Sequence, residues 1–172
     1  MRTSLLQTIS FYILLSLNSC EPARDTPVIS PITKIVLSDS LQPIVDSLAL
    51  FAVVHDAAIG YAGIETTVYR HFKKLQAKAT DKELISLTDH DTASVRAYAY
   101  WALAKRKNPE IKNILRRHMK DTTKFWYTSG CSPDPERVNQ FYLDLVNPEY
   151  NTPDCIKLTT NEVEEFSKVI DK

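Results

Sequence analysis

Residues 83–106, ELISLTDHDTASVRAYAYWALAKR, decide the predicted fold. Their first part carries apolar residues at helical spacing up to Leu87, and a polar turn follows. Their second part starts near Ser94 and is apolar on both faces, because Tyr100 and Trp101 lie opposite Val95. A helix that is hydrophobic all round must be covered all round. The segment therefore predicts a helical hairpin whose second helix lies between neighbouring elements.

The same helical pattern extends to both sides of this hairpin. A first helix is predicted from about residue 40 to Ala58, and another begins near Thr67. Only residues 124–128, which contain Phe125, Trp126 and Tyr127, favour a strand. The chain is therefore predicted to be all-α, with antiparallel helical hairpins in series. Further helix starts carry a capping box or a cap residue before proline: Thr80 with Glu83, Asn108 with Pro109, Asp134 with Pro135, and Thr159 with Glu162.

Residues 83–106 resemble a HEAT-type helical repeat. An aspartate-rich turn with Asp89 and Asp91 precedes a second helix that carries Arg96 and small alanines in the order of that family. The resemblance implies that Asp89, Asp91 and Arg96 make polar contacts between stacked repeats. Residues 108–145 would form a second, degenerate unit. The implied architecture is a short HEAT-like α-solenoid, in which each repeat buries its apolar face against the next.

The N-terminus has the pattern of an export signal. Arg2 precedes an apolar run over residues 5–17, which is about a dozen residues and shorter than the roughly 20 that a bilayer-spanning helix needs. Residues 17–20, LNSC, resemble a bacterial lipobox, which implies a signal peptide over residues 1–19 and lipidation of Cys20. The alternative is an ordinary secretory signal that leaves Cys20 as a plain thiol. The whole chain also resembles small HEAT-repeat lipoproteins of Bacteroidota, an exported and membrane-anchored class.

Composition divides the remainder into a tether and one domain. Residues 20–39 carry Pro22, Pro27 and Pro31 without a helical period, which predicts a tether, and residues 40–172 form the helical domain. The chain has 21 lysine and arginine residues and 21 aspartate and glutamate residues. This balance gives no basic field for nucleic acid, so no nucleic-acid partner is expected.

Two cysteines remain in the domain. Cys131 and Cys155 are predicted to form a disulfide, because an exported protein folds where disulfides persist. A redox or metal-binding pair is the alternative, although the sequence has neither a CxxC motif nor a histidine close to either thiol.

No catalytic motif stands out. The four histidines are spread over separate elements without an HExxH pattern, and three glycines provide no phosphate-binding loop. We therefore expect no metal, no cofactor and no enzymatic activity. The alternative is an enzyme or metal-dependent protein whose site is assembled from His55, Asp56, His71 and His118.

The leading functional prediction is a non-enzymatic interaction module of the cell envelope. Arg96, Tyr100 and Trp101 are the candidate docking residues for an envelope protein or peptide, because aromatic and arginine side chains carry much interface energy. The alternative reading of Tyr100 and Trp101 is that they belong to the core. A small-ligand carrier is a third possibility, which a closed apolar cavity between helices would support.

Overall fold

Seven helices and three strands form residues 37–170, the part of the chain that the computed structural model describes. The predicted signal peptide, Cys20 and most of the predicted tether lie outside the described residues. None of the described helices is long and apolar enough to cross a bilayer. In chain order the elements are α1 (Gln42–Phe51), β1 (Val53–Ile59), α2 (Thr67–Lys78), α3 (Asp81–Leu87), α4 (Ala93–Lys105), α5 (Ile111–His118), β2 (Lys124–Gly130), β3 (Ser132–Arg137), α6 (Val138–Val146) and α7 (Thr160–Ile170).

The last residues of the predicted tether belong to the packed domain. Leu37 packs against the core, and the backbone N–H of Ser38 donates to Oε1 of Glu83 at 3.1 Å. The other carboxylate oxygen of Glu83 accepts from the backbone N–H of Thr80, which completes the predicted capping box at the start of α3. The folded part therefore starts before residue 40.

Helix α4 lies at the centre of the core, as its composition predicts. Val95, Ala99 and Ala102 are fully buried on one face, and Ala97 and Tyr100 are fully buried on the other. The small alanine side chains let neighbouring backbones approach closely. Helices α1, α2, α3, α5 and α6 and the sheet all pack against α4.

A strand replaces the second half of the predicted first helix. Ala52 adopts a left-handed conformation with φ of 51°, which ends α1. The β-branched residues Val53 and Val54 then begin β1, which pairs in parallel with β2. Tyr98 of α4 fixes the strand, because its hydroxyl accepts a hydrogen bond from the backbone N–H of His55 at 2.7 Å. The fold is therefore mixed α/β, and the prediction of an all-α solenoid of stacked hairpins is wrong.

The Asp134–Pro135 signature belongs to a strand rather than to a helix start. Both residues lie in β3, which pairs antiparallel with β2 across a two-residue turn at Gly130 and Cys131. Gly130 has a φ of 71°, which suits the first central position of a type II′ hairpin turn. Because the strand order is β1-β2-β3, β3 lies at an edge of the sheet, where proline is tolerated. Helix α6 begins only at Val138.

Arg96 and Asp89 have side-chain partners that lie outside residues 83–106. Nη1 of Arg96 donates to the backbone oxygens of His90 and Asp91 at 2.6 and 3.0 Å, so the Asp91 contact is with its carbonyl. The charge partner of Arg96 is Asp121, with Nε and Oδ2 2.9 Å apart. The Asp89 carboxylate instead lies 3.1 Å from Nε2 of His118. Sequence reasoning missed Asp121 because this residue follows α5, outside the repeat-like segment.

Candidate functional site

The predicted docking residues lie inside the domain. Tyr100 is fully buried and its ring stacks on Tyr142, with the ring centroids 3.8 Å apart. Trp101 is 5% exposed and Arg96 is 8% exposed, because α4 is covered on all sides. These side chains therefore form no exposed docking patch. Tyr100 and Trp101 belong to the core, which was the alternative interpretation.

The predicted disulfide is absent. Cys131 is an exposed free thiol in the turn between β2 and β3, and Cys155 is a buried free thiol. Cys155 is held next to α4, because the N–H of the following residue, Ile156, donates to the backbone oxygen of Ala104 at 2.9 Å. Burial raises the pKa of the Cys155 thiol. The two sulfurs thus belong to different parts of the domain.

The dispersed residues proposed for an enzyme or metal site do not converge. Nδ1 of His55 lies 3.1 Å from Oγ1 of Thr66, whereas His118, at the end of α5, contacts Asp89. The ring of His71 lies beside Phe51. Within residues 37–170, no group of three or more histidine, cysteine, aspartate or glutamate side chains is arranged to hold a metal ion. Of the proposed set, Asp56 lines an open pocket.

That pocket lies between the sheet, α4, α6 and the loop of residues 147–153. It has a volume of about 280 Å³ and opens to solvent. Carboxylates enter it from three elements: Asp56 from β1, Glu136 from β3 and Asp144 from α6. Among the described residues that line it, none is a lysine, arginine or histidine. We call it the acidic pocket, and we call residues 147–153 the pocket loop.

Strand alternation explains how the sheet supplies these side chains. Successive side chains of a strand point to opposite faces, so Asp56 shares the inward face of β1 with the fully buried Val54. Val54 is in register with Tyr127 of β2, which therefore points inward as well. The Asp56 Oδ2 atom accepts from the hydroxyls of Tyr127 and Ser129 at 3.5 and 3.3 Å. A strand face that is apolar at its start thus becomes polar where it reaches the pocket.

The carboxyl group of Asp144 is partly buried on α6. Burial raises its pKa to about 6, the hydrogen bond from Nε2 of Gln140 opposes this rise, and the negative charge of Glu136 adds to it. The Gln140 bond is 2.8 Å long. An aspartate is therefore held where its negative charge is poorly solvated and faces a second carboxylate.

Aromatic side chains form the remaining walls. Phe141 packs edge-on against both Trp101 and Tyr127, at centroid distances of 6.1 and 5.3 Å. Burial, with the nearby charge of Asp56, raises the pKa of Tyr127 to about 12. Tyr150 lies at the rim and is half exposed, and its pKa is raised first by the charge of Asp144. Aromatic faces and carboxylates thus surround one cleft.

A comparison of the chain with known protein families, with curated proteins and with solved structures finds no match.

Sequence reasoning missed most of this site. One signal was present: Asp144 falls in a helix whose residues Phe141, Tyr142 and Leu145 are all predicted and observed to face inward. A carboxylate on the apolar side of a helix is costly to bury, and it points to a function or to a buried partner. Glu136 and Tyr127 gave no comparable signal, because their position depends on how the strands pair.

Proposed function

We propose that the domain is a non-enzymatic binding module that holds a cationic group, an amine or a guanidinium, in the acidic pocket. The observation that carries this proposal is the convergence of Asp56, Glu136 and Asp144 on one cleft without a basic side chain among its described lining residues. Like charges held together favour a ligand of the opposite sign. A bound cation would also remove the cost of ionising Asp144.

The aromatic walls favour the same ligand class. The rings of Tyr127 and Tyr150 line the pocket beside its carboxylates, and an aromatic ring attracts an ammonium or guanidinium group over its face by about 0.5–2 kcal/mol, depending on desolvation. The hydrocarbon stem of a lysine or arginine side chain would contact the same rings. Carboxylates and aromatic rings in one pocket therefore suit a group with a charged end and an apolar stem.

The size of the pocket limits the ligand. About 280 Å³ lies just below the 300–1,000 Å³ that is typical of small-molecule and cofactor sites. A single side chain or a small amine fits this volume better than a dinucleotide or a haem. In this proposal the partner is an envelope protein or peptide that presents a lysine or arginine, and the chain is anchored by lipid on Cys20, as the sequence predicts. The acidic pocket is open and lined by carboxylates, unlike the closed apolar cavity that is expected of a ligand carrier.

The test uses tryptophan fluorescence of the full chain. The sequence contains two tryptophans, so Trp126→Phe leaves Trp101 as the single reporter in the acidic pocket. The probe is Nα-acetyl-lysine-methylamide, and its matched control is Nα-acetyl-norleucine-methylamide, which lacks the ammonium group. We expect saturable quenching or enhancement with the lysine probe and at least about tenfold weaker binding of the neutral control, which is about 1.4 kcal/mol.

A variant pair locates the binding. Asp144→Asn removes one charge from the acidic pocket, whereas Glu165→Gln removes one from the exposed face of α7, outside the residues that line the pocket. The lysine probe should bind more weakly to the first variant and unchanged to the second. Equal binding of both probes, or equal loss in both variants, would refute cation recognition by this pocket.

A further inference from the structure

The side chain of Lys157 is surrounded by oxygen atoms of the pocket loop and of the end of α6. Its Nζ atom donates to the backbone oxygens of Leu145, Asn147 and Tyr150 at 3.2, 3.0 and 3.0 Å. The hydroxyl oxygen of Thr152 is a fourth acceptor. One ammonium group thus gathers acceptors from four residues over an eight-residue stretch of chain.

The backbone on either side of Lys157 fixes where this ammonium group lies. The N–H of Ile156 donates to the Ala104 oxygen at the end of α4, and the N–H of Leu158 donates to the Val146 oxygen at the end of α6, each at 2.9 Å. The two neighbours of Lys157 are therefore tied to two different helices. Lys157 stands between these anchors and reaches the pocket loop.

We propose that Lys157 is a positioning residue that holds the pocket loop in place as one wall of the acidic pocket; this inference rests on the function proposed above. Tyr150 and Thr152, which Lys157 contacts, also line the pocket. Without the ammonium group, three carbonyl oxygens that converge on it lose a donor. Each of these oxygens keeps one other donor: the Thr152 hydroxyl for Leu145, the Tyr150 N–H for Asn147 and the Thr152 N–H for Tyr150. The ammonium group joins all three oxygens, so its loss would let the loop move relative to the end of α6.

The sign of the effect on binding separates this role from simple electrostatics. Lys157 is a cation close to a site proposed to bind cations, so loss of its charge alone would strengthen binding. Loss of the wall that it positions would weaken binding. Lys105 is a matched control, because its Nζ contacts the same loop by one longer bond, 3.4 Å to the oxygen of Pro153, and Asp154 at 3.8 Å.

The experiment compares Lys157→Met with Lys105→Met in the full chain carrying Trp126→Phe. We expect the lysine probe to bind about tenfold more weakly to Lys157→Met, and unchanged or slightly more tightly to Lys105→Met. Hydrogen exchange should be faster at the amides of Tyr150 and Thr152 in Lys157→Met only, since these amides bond to oxygens within the loop. Thr152→Val, which removes the hydroxyl that accepts from Lys157 and donates to the Leu145 oxygen, should show a smaller change of the same sign if Lys157→Met does not fold.

Three outcomes are distinct. Unchanged loop exchange in Lys157→Met, with binding as tight as in the parent or tighter, would overturn the positioning role and leave the proposed function standing. Failure of the parent to bind the probe would overturn the proposed function, while the loop exchange would still decide whether Lys157 orders the loop. Weakening of similar size in both lysine variants would show that the effect is not specific to Lys157 and would overturn the proposal.

Discussion

Charges of opposite sign meet around Arg96, whereas charges of one sign meet in the acidic pocket. The Arg96 guanidinium faces Asp121 and two backbone oxygens, so each charge of this buried cluster has a partner. Asp144 and Glu136 face each other without a basic side chain among the described lining residues. The cluster around Arg96 therefore serves the fold. The acidic pocket instead lowers stability in a way that an incoming cation would relieve.

The largest effect on stability is expected from a substitution that breaks the paired cluster around Arg96. Arg96→Met should lower the free energy of unfolding by about 3–5 kcal/mol, because it leaves Asp121 as a largely buried charge without its partner. Urea denaturation followed by circular dichroism measures the change. Arg70→Met is a suitable control, since the Arg70 guanidinium bonds to exposed groups of its own segment. A loss below about 1 kcal/mol would show that Arg96 does not serve the fold in this way.

The second prediction concerns the unpaired cluster and has the opposite sign. The pKa of Asp144 is raised from 3.8 to about 6, so the native state takes up a proton that the unfolded state has released, and this stabilisation is lost as the pH rises through 6. Asp144→Asn should therefore raise the free energy of unfolding at pH 7 by about 1–2 kcal/mol, allowing for solvent screening of the roughly 3 kcal/mol that two pKa units represent.

The pH dependence of this variant supplies its own control. The gain should shrink to about one fifth near pH 4, where the aspartate is largely protonated in the native protein and about half protonated in the unfolded chain. Unfolding curves at pH 4, 5.5 and 7 measure it. A gain that is constant over this range would assign the effect to side-chain packing rather than to charge.

The third prediction is the pH dependence of cation binding. The group that titrates is Asp144, which faces Glu136 from β3, Gln140 from its own helix and Tyr150 from the pocket loop. A cation favours the ionised carboxyl group, so affinity should fall by up to about tenfold between pH 7 and pH 5. Fluorescence titration of the lysine probe measures the change. Asp144→Asn should flatten the profile, and an unchanged slope in that variant would remove Asp144 from recognition.

Sequence patterns predicted the parts of this fold that local physics determines. The burial of α4 followed from its all-round apolar surface, and both capping boxes form because a threonine and a glutamate three residues apart satisfy each other's backbone donors. The strand expected over residues 124–128 forms the first five residues of β2.

The missed elements are those that tertiary contacts decide. The helical spacing of Ile44, Leu48 and Phe51 did not indicate that Ala52 would adopt a left-handed conformation or that a strand would follow it. Asp134 followed by Pro135 has the same composition at a helix start and on an edge strand, and only pairing with β2 separates the two. The acidic pocket was missed for the same reason, since its carboxylates come from three elements far apart in sequence.

The two prolines of β3 limit the ways in which a partner can bind. In a hairpin with a two-residue turn, Ser129 and Ser132 form a hydrogen-bonded pair, so alternation turns the backbone nitrogens of Pro133 and Pro135 away from β2. Those nitrogens carry no hydrogen, so the free edge of β3 lacks two of the donors that an added strand would need. A peptide cannot readily extend the sheet at this edge, and recognition there falls to side chains rather than to main-chain pairing.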